Sequence, residues 1–357
     1  MKRNIALLLS LVMAIFAFAG CGSPSSSGEA AKTDLTVISS TAESVDAGSG
    51  EAVKTGLAVI SSIAKSVDAG DKDGLAEIDS TVAAVTVDKN GKILSCKIDA
   101  AQTKINFTAA GKLTTPLDTA FKSKQELGTE YGMGKTSGIK KEWNEQADAF
   151  AKYVTGKTAA EVKGIAVSAE GTAADKDLSS SVTIHIGDFM AVVDKAVSNA
   201  KDLGAKSGDK LGLGVLTSIS GSKDAADKDG LAQAYSNYTA TTFAADGKIT
   251  SSIIDASQSN VNFSKEGKIT SDLKAELKTK QELGAAYGMA KASSIKKEWN
   301  EQADAFAKYV TGKTVAEVKG IAVTAEGTPS DKDLASSVTI HIGDYEAIIE
   351  KASGNAK

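Results

Sequence analysis

Hydrophobic and polar positions along this chain switch between two spacings, and the switching pattern occurs twice. Residues Ile93 to Asp99 alternate in the manner of a strand, and they follow Asp88-Lys89-Asn90-Gly91-Lys92, a hairpin turn. Its counterpart is Ala245-Asp246-Gly247-Lys248; Asn-Gly and Asp-Gly supply the positive φ that such turns need. Farther on, Ile139, Trp143, Ala147, Phe150 and Val154 recur at helical spacing and predict one apolar helix face. Thr158 with Glu161, and Thr314 with Glu317, read as capping boxes that open a further helix. Val182, Ile184 and Ile186 alternate with Thr183 and His185, which predicts a short strand with the threonine and histidine on its polar face. Asp188 and Asp344 are expected to N-cap a last helix. Together these elements predict an α+β fold, in which an antiparallel sheet carries packed helices.

From Gly56 onward the pattern repeats at an offset of 156, so that Asp99 maps to Asp255, Trp143 to Trp299 and Thr183 to Thr339. The run Ile139 to Thr158 is identical to Ile295 to Thr314 over all twenty residues. A period this long is a tandem domain duplication and not a solenoid. It predicts homologous domains at residues 55–200 and 208–357, joined by a linker from Ser198 to Lys210.

The N-terminus follows different rules. A basic start, Met1-Lys2-Arg3-Asn4, precedes an apolar run from Ile5 to Ala19 that is shorter than the roughly 20 residues of a membrane span. The run ends at Phe18-Ala19-Gly20-Cys21, which resembles a bacterial lipoprotein cleavage box. Residues 1–20 are therefore expected to be a signal peptide. Cys21 is expected to carry acyl chains that hold the protein on the outer face of a cell membrane. Residues 21–54 are rich in Ser, Gly and Ala, and Val37 to Gly48 is echoed by Val59 to Gly70. That segment is either a flexible stalk or an extension of the first helix of the first repeat.

Composition narrows the function classes. Aromatics are only 5% of the chain, so the cores must rest on Val, Ile, Leu and Ala. A net charge of −4 with well-mixed signs gives no nucleic-acid surface. Two cysteines allow no disulfide framework and no metal-binding cysteine spacing, and Cys96 reads as a small buried residue. Gly134-Lys135-Thr136 and Gly156-Lys157-Thr158 lack the upstream glycine of a phosphate-binding loop, with Thr129 and Ala151 in its place.

The sharpest signal is a stretch carried twice, Asp177-Leu178-Ser179-Ser180-Ser181-Val182-Thr183-Ile184-His185 and its copy from Asp333 to His341. It resembles the acceptor sequence of the FMN-binding domain family, roughly Asp-x-x-Ser-Gly-Ala-Thr. The match falls at Asp177, Ser180 and Thr183, and at Asp333, Ser336 and Thr339. Ser181 and Ser337 stand where that family has Gly, and Val182 and Val338 where it has Ala. The resemblance implies that a flavin transferase moves FMN from FAD onto the hydroxyls of Thr183 and Thr339, with the Asp serving that step beside a divalent metal. Two covalent FMN groups per chain would make the protein an electron carrier with no bond chemistry of its own.

The resemblance extends to two-domain flavinylated surface lipoproteins of Gram-positive bacteria. In those, electrons pass from a membrane NADH dehydrogenase and quinone pool to external acceptors such as ferric iron, and some release a pheromone from the signal peptide. His185 and His341 are candidate flavin contacts, as are Tyr131 with Met133 and Tyr287 with Met289. Trp143 and Trp299 are weaker candidates because they sit on the apolar helix stripe. The rival reading is a flavin-free surface binding or structural module that gains avidity by duplication.

Overall fold

A computed structural model describes residues 50–357, and the signal peptide, Cys21 and the Val37 to Gly48 echo lie outside the described residues. The first repeat opens on strands β1 (Ala52–Ser62), β2 (Gly74–Val87) and β3 (Ile93–Phe107). Helices α1 (Lys124–Leu127), α2 (Trp143–Val154), α3 (Ala159–Lys163), α4 (Lys176–Ser179) and α5 (Gly187–Ser198) follow. Strand β4 (Lys201–Lys206) leads into the second repeat, with β5 (Lys210–Ser218), β6 (Gly230–Phe243) and β7 (Ile249–Phe263). Its helices are α6 (Lys280–Leu283), α7 (Trp299–Val310), α8 (Val315–Lys319), α9 (Lys332–Ala335) and α10 (Gly343–Asn355). The fold is α+β, with antiparallel sheets ordered β3-β2-β1-β4 and β5-β6-β7.

Strand alternation gives each sheet two buried faces. On β2, Ala83, Val85 and Val87 point at the helices and join Trp143, Phe150, Val154, Val192 and Val193 in an outer core. Val82 and Ala84 point the other way, and with Leu57 and Val59 they meet Leu211, Leu213, Val215 and Tyr238 of the second repeat. The result is four layers, helix, sheet, sheet and helix, and the described residues form one compact unit. Small residues let the layers close. A Cβ on Gly56 would sit 2.0 Å from the Ala196 carbonyl oxygen, so helix α5 rests directly on the β1 backbone; Gly212 stands in the same relation to Ala352 at 2.1 Å.

The contacts between repeats are reciprocal, as a pseudo-two-fold axis demands. Ala69 N–H donates to the Gly267 carbonyl and Ala225 N–H to that of Gly111, both at 2.8 Å. Ile269 N–H donates to Asp68 and Leu113 N–H to Asp224, again both at 2.8 Å. Phe107 and Phe263 stack near this axis with centroids 4.2 Å apart.

Several elements differ from the sequence reading. The first element of the repeat is strand β1 and not a helix, and it starts at Ala52, inside the span read as stalk. The segment read as a linker contains β4, which pairs with β1 from Ala52 to Thr55. Val182 to Ile186 is no strand: α4 occupies the preceding residues, and the chain passes through an irregular loop into α5. The capping of α5 and α10 also differs, because Ile186 and Ile342 stand at N-cap, and Asp188 and Asp344 lie inside the first turn. The hairpin turns and the capping boxes at Thr158 and Thr314 form where the sequence places them. Among the described residues no helix is long and apolar enough to cross a membrane.

Candidate functional site

The acceptor loop is built from its flanks inward. Asp175 caps α4, accepting from the N–H groups of Asp177 at 2.9 Å and Leu178 at 3.0 Å. Asp331 does the same for α9. The acidic residue of the motif, Asp177 or Asp333, is thus not the cap but an exposed first-turn residue. Ser180 and Ser181 turn their hydroxyls back onto the carbonyls of Asp177 and Leu178 at 2.8 and 3.2 Å, tightening the end of α4. Ser336 and Ser337 repeat this at 2.7 and 3.2 Å.

Beyond the serines, Val182 and Ile186 are fully buried, and so are Val338 and Ile342. They pin the loop at two points and leave the threonine between them on the outside. Thr183 donates its backbone N–H at 2.8 Å and its hydroxyl at 3.3 Å to one atom, Gln146 Oε1. Thr339 does so to Gln302 at 2.7 and 3.1 Å. Gln146 and Gln302 are fully buried on the apolar faces of α2 and α7. Each amide nitrogen is used too. Gln146 Nε2 donates to Ser137 Oγ and the Lys141 carbonyl, both at 3.2 Å, and Gln302 donates to Ser293 and Lys297. The turn that supplies these acceptors holds Lys140 at φ 57° and Lys296 at φ 56°. That left-handed conformation is unfavourable for lysine, and both repeats retain it.

The glutamine ties the acceptor to the aromatic flank. Ser137 N–H donates to the Met133 carbonyl at 2.8 Å, and Met133 N–H donates to Glu142 Oε2 at the start of α2 at 2.8 Å. Tyr131 and Met133, with Ile184, are half-buried against the helical core, and Tyr287, Met289 and Ile340 match them. His185 and His341 are exposed on the acceptor loop. His185 bridges to Thr172, its ring lying over the Gly171 turn. Trp143 and Trp299 are buried in the core; Trp143 meets Phe189 edge-on at 5.6 Å. The structure therefore joins the motif threonine to the methionine through hydrogen bonds, sets the tyrosine two residues before that methionine against the same core, and assigns the tryptophans to packing.

Sequence reasoning missed the glutamine and a lysine. Gln146 was legible as a polar residue at a position the helical period makes apolar. Lys124 lies 4.8 Å from the Tyr131 ring centroid and 5.3 Å from that of Trp143. Its counterpart Lys280 is buried among Tyr235, Tyr287 and Trp299 at 4.5, 4.6 and 5.2 Å, and donates to the Tyr235 hydroxyl at 3.1 Å. Burial pushes the Lys280 ammonium down to about 8. Tyr345 accepts from Trp299 Nε1 at 3.0 Å in the same cluster.

Elsewhere, two clefts mark the junction of the repeats. One, of about 230 Å³, is lined by Leu57, Val59, Lys195, Asp255 and Glu282, with Lys195 paired to Glu282 at 2.6 Å. Its mate is lined by Asp99, Glu126, Leu213 and Lys351, with Lys351 paired to Glu126. Burial pushes Asp99 up to about 6 and Asp255 up to about 7. No family model, curated protein or solved structure matches the chain.

Proposed function

We propose that the protein is a lipid-anchored extracytoplasmic electron carrier. In this reading it bears FMN on Thr183 and Thr339, takes electrons from a membrane NADH dehydrogenase and quinone system, and passes them to external acceptors such as ferric iron. The observation that carries the reading is the acceptor geometry, reproduced in both repeats. A hydroxyl on a loop pinned by two buried aliphatics is oriented by a buried carboxamide that also ties the loop to the turn before the helix. A covalently attached flavin would supply reversible electron uptake and release.

The residues fit such a group. Gln146 Oε1 engages the hydroxyl proton of Thr183, which leaves the oxygen lone pairs facing outward. A neutral amide cannot take the proton, so the base for phosphoester formation belongs to the transferase. In that step the threonine oxygen bonds to the FMN phosphorus of FAD, the pyrophosphate bond breaks and AMP leaves. Thr183 is exposed, as an acceptor for an external enzyme must be; Thr339 is half-buried, which predicts slower loading of the second site. Tyr131 with Met133, and Tyr287 with Met289, would flank the ring, since a planar dye packs on aromatic and thioether surface. In this reading His185 and His341 would contact the phosphate or the ring edge.

Intact-mass measurement on protein from its native membrane tests this reading. Two FMN adducts that survive denaturation are expected; Thr183→Ala and Thr339→Ala should each leave one, and the double variant none. Colourless native protein with unmodified peptides at both positions would leave only a tethered surface protein of the binding or structural kind.

A further inference from the structure

The two repeats agree residue for residue through α2 and its flanks, yet beside the aromatic flank they diverge in charge. Four paired positions carry the change: Lys65 and Gly221, Glu77 and Gln233, Asp79 and Tyr235, Lys104 and Asn260. In the first repeat these form an ionic cluster whose lysines are exposed and whose Glu77 is buried, with Lys65 held to Asp79 at 2.6 Å and Glu77 lying 3.6 Å from Lys104. Lys65 lies within electrostatic reach of Tyr131. In the second repeat the cluster is neutral: Gln233 donates to Asn260 at 2.9 Å, and Tyr287 donates to Gln258 at 2.9 Å. Tyr235 here closes over Lys280, which is 4% exposed, whereas Lys124 is only half-buried.

We propose that the two flavin sites are electrochemically inequivalent, and that the buried Lys280 ammonium sets the Thr339 site at the higher reduction potential. This inference rests on the flavoprotein reading above. The relevant couple is oxidised FMN plus two electrons and one proton giving the anionic hydroquinone, so a nearby cation stabilises the reduced side. In the first repeat Lys65, Lys104 and Lys124 stand against Glu77 and Asp79; at the same positions the second repeat has Lys280 alone. Both therefore sum to one positive charge. What differs is the medium. In the first set Lys65 and Lys104 are exposed and paired with carboxylates, so their field is screened, whereas Lys280 lies among aromatic rings and acts with far less screening. Asp255 acts on Lys280 through space, but burial raises that carboxyl to about 7 and so weakens the charge it sets against the ammonium near neutral pH. Thr339 is joined to Met289 through Gln302 and Ser293, and Lys280 lies 4.6 Å from the Tyr287 ring, so a flavin packed on Tyr287 and Met289 would lie within this field. Electrons entering at the Thr183 flavin of one molecule would then settle preferentially on a Thr339 flavin. That gives a population of such carriers a direction.

Mediator-coupled spectroelectrochemical titration of the flavinylated full chain reads this directly. Wild type should titrate in two waves, with Thr183→Ala retaining the more positive wave and Thr339→Ala the more negative. Lys280→Met in the Thr183→Ala background should move the remaining wave negative, whereas Lys280→Arg should hold it. Tyr235→Asp, which gives the second repeat the residue of the first, should also move it negative, with near-ultraviolet circular dichroism checking that the variant keeps its fold. Added salt should shift the Thr183 wave more than the Thr339 wave. One coincident wave from protein that carries both adducts would overturn this inference and leave the flavoprotein reading standing, as would a Lys280→Met variant with unchanged potential. Protein without adducts would remove both.

Discussion

At the scale of single residues, the acceptor depends on one carboxamide more than on the motif that announces it. Gln146 satisfies the Thr183 N–H, which otherwise points into a buried helix face. Gln146→Ala orphans that donor together with the Ser137 and Lys141 acceptors. A loss of about 1–3 kcal/mol is expected on the scale of unsatisfied buried groups. Chemical denaturation would read the loss, and intact mass should show reduced flavin loading at Thr183 alone. Gln146→Glu keeps an acceptor for the threonine but loses the donor to Ser137, so it should restore part of the loading.

The buried carboxyls at the repeat junction make a second residue-scale prediction. Asp255 is pushed up to about 7 by burial from an ordinary 3.8, so between those values the folded chain holds a proton that the unfolded chain has released. Stability must therefore fall as pH rises through that window and flatten above it. The groups that face Asp255 are Thr279, Gln281, Glu282, Lys280 through space and, across the cleft, Lys195. Asp255→Asn keeps the oxygen that accepts from Ala256 and Gln281 at 2.7 and 3.1 Å and removes the charge. The gain at pH 8 should be on the order of 1–4 kcal/mol and nearly vanish at pH 4, which thermal unfolding at the two values would show.

At the scale of elements, local chemistry was legible wherever it decided the outcome alone. The Asn-Gly and Asp-Gly turns fix β2-β3 and β6-β7, and the Thr-x-x-Glu boxes open α3 and α8, because each is a contact within a few residues. The acceptor stretch was misread for an equally physical reason. Val182, Ile184 and Ile186 show the spacing of a strand, but among the described residues this stretch makes only an isolated bridge, His185 to Thr172, and no strand pairs along it. Asp175, two residues before the recognised motif, caps a helical turn instead. The polar side of the stretch came out correctly, since two buried anchors around an outward threonine look alike in sequence whether the backbone is strand or loop.

Glycine spacing was the overlooked signal for helix on sheet. Gly56 lets α5 touch β1, and Gly56→Ala would press a methyl 2.0 Å from the Ala196 carbonyl. Because backbone must give way, a loss of about 1–3 kcal/mol is expected, with Gly212→Ala matching it against α10. Near-ultraviolet circular dichroism and a denaturant midpoint would separate a shifted helix from an unfolded chain.

At the scale of the molecule, duplication was plain in the sequence but the joint was not. The offset of 156 says that two homologous units exist and nothing about which face they share. Strand β2 has apolar and small residues on both faces, which only makes sense if both are covered. Helices cover one face; the second repeat covers the other. A chain cut between the repeats should therefore not yield two contented monomers. Residues 50–206 contain a complete four-stranded sheet and its helices, so the fragment has everything needed to fold except a partner for Leu57, Val59, Val82, Ala84 and Phe107. The axis between repeats is two-fold in character, and Phe107 meets Phe263, its own equivalent. A second copy of the fragment can consequently offer the same face in the same orientation. The fragment should sediment as a dimer that dissociates and unfolds together on dilution. Phe107→Ala, which in the full chain should cost about 3–5 kcal/mol, should in the fragment be felt twice per dimer and abolish it. A stable folded monomer of residues 50–206 would mean that the inner sheet face tolerates water, and the four-layer packing would then not be what stabilises either repeat.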